Sequence, residues 1–361
     1  MSRIRVALGA RSYDIVITDS YRDLPRWLHR VRLPAGPAWI ITHPALAQRA
    51  APVVQALRQG GWDAKTILVP ASEQSKSLAM AERVAHRLVQ GAGLRPPVLF
   101  AFGGGVVGDL TGFVAAVYRR GVPYVQVPTT LLAQVDSAIG GKTGVDLPGA
   151  KNFLGAFHQP RLVVNHLGVL RSLPLRQRRS GLSEIIKYGV MADAGLFAYL
   201  ERHLRDCLAL SPAAVRRMVT ASCRIKARVV SRDERETTGL RAQLNFGHTL
   251  GHALEAATGY RRFTHGEAIA VGMCAASAVA VEAGLLAPQA EARIVRLLLA
   301  AGLPTRARGV SWPKVRAAMR LDKKFLRGRP RWVLPTRIGK VVVTEQVPPV
   351  VIERVVRKYL T

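Results

Sequence analysis

"VLFAFGGGVVGDLTGF", Val98 to Phe113, is the stretch on which the fold turns. An apolar run entering consecutive glycines predicts a strand and its turn, and the residues that follow predict a helix. Gly103, Gly105 and Gly108 stand in a G-x-G-x-x-G spacing. Such glycines let a backbone approach a pyrophosphate at a helix N-terminus. The acidic residue expected about 20 positions later is missing, because "YVQVPTT" lies there. Tight strand-to-helix turns also use glycines, so the spacing favours dinucleotide binding without deciding it.

Working outward, "AWIITH", "KTILVP" and "YVQVPTT" are further strands, each leading into a Thr, Pro or Gly turn. Between them "AMAERVAHRLVQGAG" carries apolar residues at helical spacing and a glycine stop. The alternation predicts an α/β fold: a Rossmann-like domain with a mostly parallel sheet, assigned to residues 1–170. Past "SLPLRQRRSG" the apolar periodicity becomes helical, from "SGLSEIIKYGVM" to "AEARIVRLLLAAGLP". A mostly α-helical second domain, residues 171–361, is expected. Near its end "RWVLPTRIGKVVVTEQVPP" predicts a hairpin with "RIGK" at the turn. No internal repeat or low-complexity tract interrupts this plan.

A chain of 361 residues has room for two domains. With 49% hydrophobic and 21% charged residues it is a folded protein, not a disordered one. Cys207, Cys223 and Cys274 are isolated, which argues for a reducing compartment. "MSRIRVALGARSYDIVITDS" lacks the unbroken apolar run of a signal peptide. "AIAVGMCAASAVAVEAGLLA", from Ala268, contains Glu282 and predicts a buried helix, not a membrane span. A cytoplasmic protein with no membrane partner is expected. The net charge of +30 would suit phosphates of a nucleic acid. The basic residues are spread along the whole chain without interleaved aromatics, so an arginine-rich surface and an anionic substrate are the preferred account.

"SAIGGKTGVD" fails as a P-loop, since Asp136 stands where the first glycine is required. It leaves Lys142 between glycines, with Lys151 and Asn152 shortly after. "SEIIKYG" puts Glu184 and Lys187 on one helix face. Ile185, Ile186 and Tyr188 around them make a fully exposed ion pair less natural. "NFGHTLGHALE" carries His248, His252 and Glu255 on one face if helical. A zincin helix needs Glu directly after the first His, and Thr249 is there. Metal ligation, proton transfer and core packing therefore stay open from spacing alone. "LRAQL" adds Arg241, and "FTHGEAIAVGM" adds His265. One Glu and two or three His from separate helices could give three metal ligands and one open position, the catalytic zinc pattern. Lys323 and Lys324 in "LDKKFL" are consistent with a solvated charge cluster.

In this order, "EQSKSL", "GGGVVGDLTGF", "VPTTLLAQVDSAIGGKTGVD", "KNFLGAFHQP", "SGLSEIIKYG", "DERE", "LRAQLNFGHTLGHALE", "HGEAIAVGM" and "DKK" closely resemble the 3-dehydroquinate synthase family of sugar phosphate cyclases. The resemblance spans roughly residues 65–335. It implies a homodimeric carbon–oxygen lyase of the shikimate pathway that uses NAD and Zn2+, or Co2+ in its place. The implied substrate is the sugar phosphate 3-deoxy-D-arabino-heptulosonate 7-phosphate, converted to 3-dehydroquinate and phosphate. The implied course is transient oxidation, phosphate elimination, re-reduction, ring opening and aldol closure. A related cyclase such as aminodehydroquinate synthase is the nearest alternative, and an RNA-binding protein a distant one.

Carried over by position, the resemblance assigns metal ligation to Glu184, His248 and His265. His252 falls on a substrate and proton-transfer position, and Lys142, Asn245 and Arg241 join it as catalytic residues. Asp136, Asn152, Lys187, Lys226 and the Lys323–Lys324 pair fall on further substrate contacts. Arg120, in "YRRG", matches an arginine that reaches the partner subunit's site. For NAD the resemblance points to Glu73, Lys76, Gly104, Gly105, Asp109, Thr129 and Thr130, with Lys142, Lys151 and Ser172 beside them. Thr42, His43 and Pro44 replace the usual Asn or Asp that contacts the adenosine ribose, and Ser72 replaces a usual glycine. Glu255 receives no role.

Overall fold

The computed structural model describes residues 1–91, 93, 95–147, 150–321, 325–326 and 329–361. The chain forms two compact units. One is Met1–Leu173 with Lys226–Arg235; the other is Pro174–Ile225 with Glu236–Thr361. The division is therefore not a single cut in the sequence.

The first unit runs β1 (Ser2–Val6), β2 (Tyr13–Thr18), α1 (Leu24–Arg30), β3 (Pro37–Thr42), α2 (Ala47–Gln59), β4 (Asp63–Leu68), α3 (Leu78–Gly91), β5 (Val98–Gly103), α4 (Gly105–Val117), β6 (Tyr124–Pro128), β7 (Lys142–Leu147), β8 (Ala150–Phe157) and β9 (Leu162–His166). Seven strands make one sheet in the order β1-β2-β9-β6-β5-β3-β4. All its pairings are parallel except β1 with β2. β7 and β8 pair apart from it as an antiparallel hairpin.

β5 explains why its sequence shows no alternation. Every one of its residues is buried. Phe100 and Phe102 join one core with Ile40, Val125, Leu28 of α1 and Leu57 of α2. Leu99 and Ala101 join the opposite core with Ile41, Leu88 of α3 and Leu110 of α4. A parallel strand covered by helices on both faces has no solvent side, so apolar residues fill it throughout. Each buried Phe or Leu contributes about 1.5–3 kcal/mol. A Cβ on Gly108 would lie 2.9 Å from Gln126 Oε1 on β6. The third glycine of the motif thus lets α4 rest close on the sheet.

From β3 the chain moves outward to β4 and returns to β5 on the other side of β3. That reversal makes the carboxyl ends of β3 and β5 a topological switch point, where open α/β sheets bind ligands. The N-terminal residues, which no sequence pattern marks as strands, pair as β1 and β2. Ile4 and Val6 turn inward, while Arg5 Nη1 meets Asp14 Oδ1 at 3.2 Å.

The second unit is mostly helical: α5 (Leu175–Ala192), α6 (Ala194–Arg202), α7 (Leu204–Ala209), most of α8 (Pro212–Arg232), α9 (His248–Ala257), α10 (His265–Glu282), α11 (Pro288–Ala300), α12 (Trp312–Leu321) and α13 (Pro349–Lys358). Two short strands, β10 (Phe325–Leu326) and β11 (Arg329–Pro330), pair with each other. The hairpin of β12 (Trp332–Arg337) and β13 (Lys340–Thr344) follows, turning at Gly339 with φ +92°. α10 is buried at nearly every position from Ala268 to Ala280, Ala278 excepted, and its middle is therefore almost wholly apolar. Among the described residues no helix is long and apolar enough to cross a membrane.

Candidate functional site

Glu184 and Lys187 lie in the middle of α5, with exposures of 0% and 1%. Their pair, between Lys187 Nζ and Glu184 Oε2, is a buried one, not a solvated helix pair. Lys187 Nζ also lies 4.8 Å from the Tyr188 ring centre. His248 opens α9 and His265 opens α10. Two glycines make their approach possible. A Cβ on Gly266 would stand 2.1 Å from the Ser180 carbonyl oxygen of α5, and one on Gly272 would stand 1.9 Å from that of Gly247. Thr264 and Glu267 form a capping box that fixes the first turn of α10.

The three elements converge on Glu184 Oε1. His248 Nε2 is 3.4 Å from it and His265 Nε2 is 3.3 Å. Behind the rings, His248 Nδ1 lies 3.1 Å from the Phe246 carbonyl, and His265 Nδ1 lies 3.3 Å from Glu255 Oε2. Burial works against a charge on His265, but hydrogen bonds and charges of Glu184 and Glu255 outweigh it and raise its pKa to about 10. Glu184, His248 and His265 each offer a ligand atom, all within 4.8 Å of one another. Zinc holds such donors at about 2.0–2.2 Å in a tetrahedron, which sets them roughly 3.3–3.5 Å apart. The separations found here, and the carboxylate–imidazole donor set, fit a divalent cation.

His252 is exposed, with its ring centre 5.2 Å from that of His248 and 6.0 Å from that of His265. It shares α9 and one face with His248 and Glu255, as the spacing predicts. Asn245 does not continue that helix. It ends a separate 3-10 turn, Arg241–Asn245, because Gly247 takes φ +80° and α9 begins only after it. Arg241 is buried, its Nε 3.7 Å from Glu236 Oε1.

The first unit gathers the other expected residues. Gly104 and Gly105 stand at the end of β5, and Thr129 and Thr130 follow β6. Thr129 donates its N–H to the Gly103 carbonyl at 2.9 Å, so the two turns adjoin on the same edge of the sheet. Lys76, 3% exposed, pairs with Asp109 Oδ2 at 2.8 Å and with Asn152 Oδ1. Burial pushes the Asp109 carboxyl up, and Lys76 opposes that shift. Asn152 sits at φ +53° and donates its N–H to Asp146 Oδ1 at 2.6 Å. Lys151 Nζ pairs with Glu73 Oε1 at 2.9 Å. Lys226 Nζ lies 2.7 Å from both Asp136 Oδ1 and the Asp136 carbonyl.

Lys142 opens β7 with its side chain exposed. Arg120 is exposed at φ +63°. The Ser172 hydroxyl donates to the Val169 carbonyl at 2.8 Å. Lys323 and Lys324 lie outside the described residues. Asp146 and Glu255 are the polar groups that the sequence left without a role. Each was visible only as a carboxylate inside a motif, Asp146 at the end of "KTGVD" and Glu255 at the end of "GHALE".

The family description "3-dehydroquinate synthase N-terminal" matches residues 66–180, and "3-dehydroquinate synthase C-terminal" matches residues 181–325. A 3-dehydroquinate synthase of Acidithiobacillus ferrooxidans is 44% identical, over 100% of this chain and 99% of its own length. One from Symbiobacterium thermophilum is 51% identical over 81% of this chain and 82% of its own. Among solved structures, the 2-epi-5-epi-valiolone synthase of Streptomyces hygroscopicus subsp. jinggangensis 5008, with NAD+ and Zn2+ bound, is 27% identical. Its TM-score is 0.86, with 98% of both chains covered. By these matches, which run through both units, the chain belongs to the 3-dehydroquinate synthase family.

Proposed function

We propose that this chain converts 3-deoxy-D-arabino-heptulosonate 7-phosphate to 3-dehydroquinate and phosphate, as an NAD- and divalent-metal-dependent lyase. The observation that carries the reading is the convergence of His248 Nε2 and His265 Nε2 on Glu184 Oε1, at 3.4 and 3.3 Å, in a chain of this family. When bound, NAD and the metal would supply reversible hydride exchange and polarisation of a substrate oxygen.

The remaining work falls to the chain's own side chains. Glu184, His248 and His265 would hold the metal, and Lys187 balances the buried charge of Glu184. In the second unit, Arg241 suits the substrate's carboxylate or phosphate through bidentate hydrogen bonds. Asn245 would orient it beside Arg241, and the exposed imidazole of His252 would take and return a substrate proton. In the first unit, Lys142 and Asn152 are the substrate groups, and Asp136 orients Lys226. Lys187, Lys323 and Lys324 remain assigned to the substrate as well. The glycine turn after β5, with Thr129, Thr130, Lys76 and Asp109, would bind the dinucleotide at the switch point, joined by Glu73, Lys151 and Ser172. Three free buried cysteines support a cytoplasmic setting.

The test supplies purified protein with the heptulosonate phosphate, and in parallel with its amino analogue, with no added NADH. Dehydroquinate and phosphate in equal amounts support the reading. Preference for the analogue transfers it to aminodehydroquinate synthase, and net NADH turnover to a dehydrogenase. The homodimer reading assigns Arg120 to the partner's site. Arg120→Ala should cut turnover about 10–100-fold, in the range of one lost charged contact. Mixed dimers that keep one intact composite site should regain activity, and mixed dimers that stay inactive would remove Arg120 from a shared site.

A further inference from the structure

Both imidazoles that face Glu184 are also held from behind, and by different groups. Behind His248 is the Phe246 carbonyl, 3.1 Å from Nδ1. A carbonyl can only accept, so His248 carries a proton on Nδ1, which leaves Nε2 as the nitrogen that would take the metal. Behind His265 is Glu255 Oε2, 3.3 Å from Nδ1. An ionised carboxylate is also acceptor-only, and it holds a proton on the same nitrogen of its ring. Glu255 is 5% exposed, and a carboxylate that deep in a protein needs partners for its charge.

The charge matters as well as the geometry. His248 and His265 are the first residues of α9 and α10, where each helix macrodipole opposes added positive charge. Glu184 is shared with the Lys187 ammonium, which offsets its negative charge. Glu255 brings a second carboxylate to the group through His265.

We propose that Glu255 is a positioning residue: it holds His265 with Nε2 toward the metal and makes that nitrogen a stronger donor. The proposal rests on the metal reading of Glu184, His248 and His265. A competing arrangement exists on the same atoms. His252, Glu255 and His265 also offer ligand atoms within 4.8 Å of one another, so Glu255 could instead be a ligand of a second ion.

The experiment strips the full chain of metal and titrates Zn2+ against a chromophoric chelator. It compares the unmodified protein with Glu255→Gln, Glu255→Ala and Glu184→Ala, and records the visible spectrum of each Co2+-loaded form. Loss of an outer partner of a metal-bound histidine weakens binding about 10–100-fold. Glu255→Gln keeps an acceptor oxygen and loses only the charge, so its loss should sit near the low end, about 10-fold. Glu255→Ala should approach the high end and shift the Co2+ bands, because the His265 ring is no longer fixed. All forms that bind should take one equivalent.

Unchanged affinity in both Glu255 variants, with loss in Glu184→Ala, sinks this proposal alone. Unchanged affinity in Glu184→Ala sinks the metal reading and the proposal with it. Two equivalents in the unmodified protein and one in the Glu255 variants make Glu255 a ligand and overturn the positioning role. If Glu255→Ala does not fold, Glu255→Gln decides, and a change under about twofold, against the roughly 10-fold expected, overturns the proposal.

Discussion

In the first unit a lysine is shared among acceptors, Lys76 with Asp109, Asp146 and Asn152; in the second a carboxylate is shared among donors, Glu184 with Lys187, His248 and His265. The hubs are equally hidden, with side-chain exposures of 3% and 0%. Their surroundings differ. The Asp109 and Asp146 side chains keep 21% and 20% exposure; around Glu184 the His265 side chain keeps 23%, but Lys187 keeps 1% and His248 9%. Water can reach the partners of Lys76 if that hub is lost. It cannot reach Lys187. A charge left alone in the interior is far more expensive than one left at a wet edge, so the two clusters should answer very differently to loss of the hub.

The largest effect is expected for Glu184→Ala. It strands the Lys187 ammonium, which should lower stability by about 3–5 kcal/mol. It also removes the atom on which both imidazoles converge. Metal affinity and turnover should fall by more than the roughly 10–100-fold expected for an outer partner. Thermal unfolding of the metal-free protein separates the two effects. An unfolding midpoint unchanged by Glu184→Ala would mean that the buried pair is not what it looks like.

How far these clusters were legible in the sequence follows from how local their causes are. β5 and its glycine turn could be seen because one strand, one turn and one helix lie within sixteen consecutive residues of chain. The late hairpin turns at "RIGK" for the same reason. The burial of Glu184 and Lys187 was only hinted at by Ile185, Ile186 and Tyr188, since spacing fixes the face and packing fixes the depth. The break between Asn245 and His248 hung on Gly247, a residue that a helical pattern tolerates but that here takes φ +80°. β7 with β8 escaped because "KTGVD" and "KNFLGAF" alternate weakly and lie outside the main sheet. The left-handed backbone of Asn152 is set by Asp146 and Lys76, contacts that no local pattern announces. The family resemblance supplied the grouping of Glu184 with His248 and His265, which lie 64 and 81 positions away.

A smaller effect is expected for Lys76→Met, which keeps an apolar stem and removes the ammonium. Asp109 and Asp146 can turn to water, so the stability loss should stay near the roughly 1.5–3 kcal/mol of a charged hydrogen bond. NAD affinity should fall about tenfold, as expected for about 1.4 kcal/mol of lost contact. Equilibrium denaturation and an NAD titration read these separately. A stability loss equal to that of Glu184→Ala would erase the contrast between a wet and a dry cluster.

The smallest effect sharpens the comparison within the second unit, by asking whether His265 is aligned by its helix or by its neighbours. Thr264 caps α10 one residue before His265, and its Oγ1 accepts the Glu267 N–H at 3.3 Å. Thr264→Ala should lower stability by about 1 kcal/mol, the usual loss for such a cap. Metal affinity should change by less than about twofold, well below the roughly 10-fold minimum for a lost outer partner. Other contacts hold the first turn of α10. The Gly266 N–H donates to Ser180 Oγ at 3.1 Å, and Arg176 grips both oxygens of Glu267 at 2.7 Å. Glu255 holds the ring itself from α9. A fall in metal affinity that tracks the loss of stability would show that helix capping, not the side chain behind the ring, sets the direction of His265. In that event the Glu255 variants should leave affinity nearly untouched, and measuring the two substitutions together distinguishes the causes.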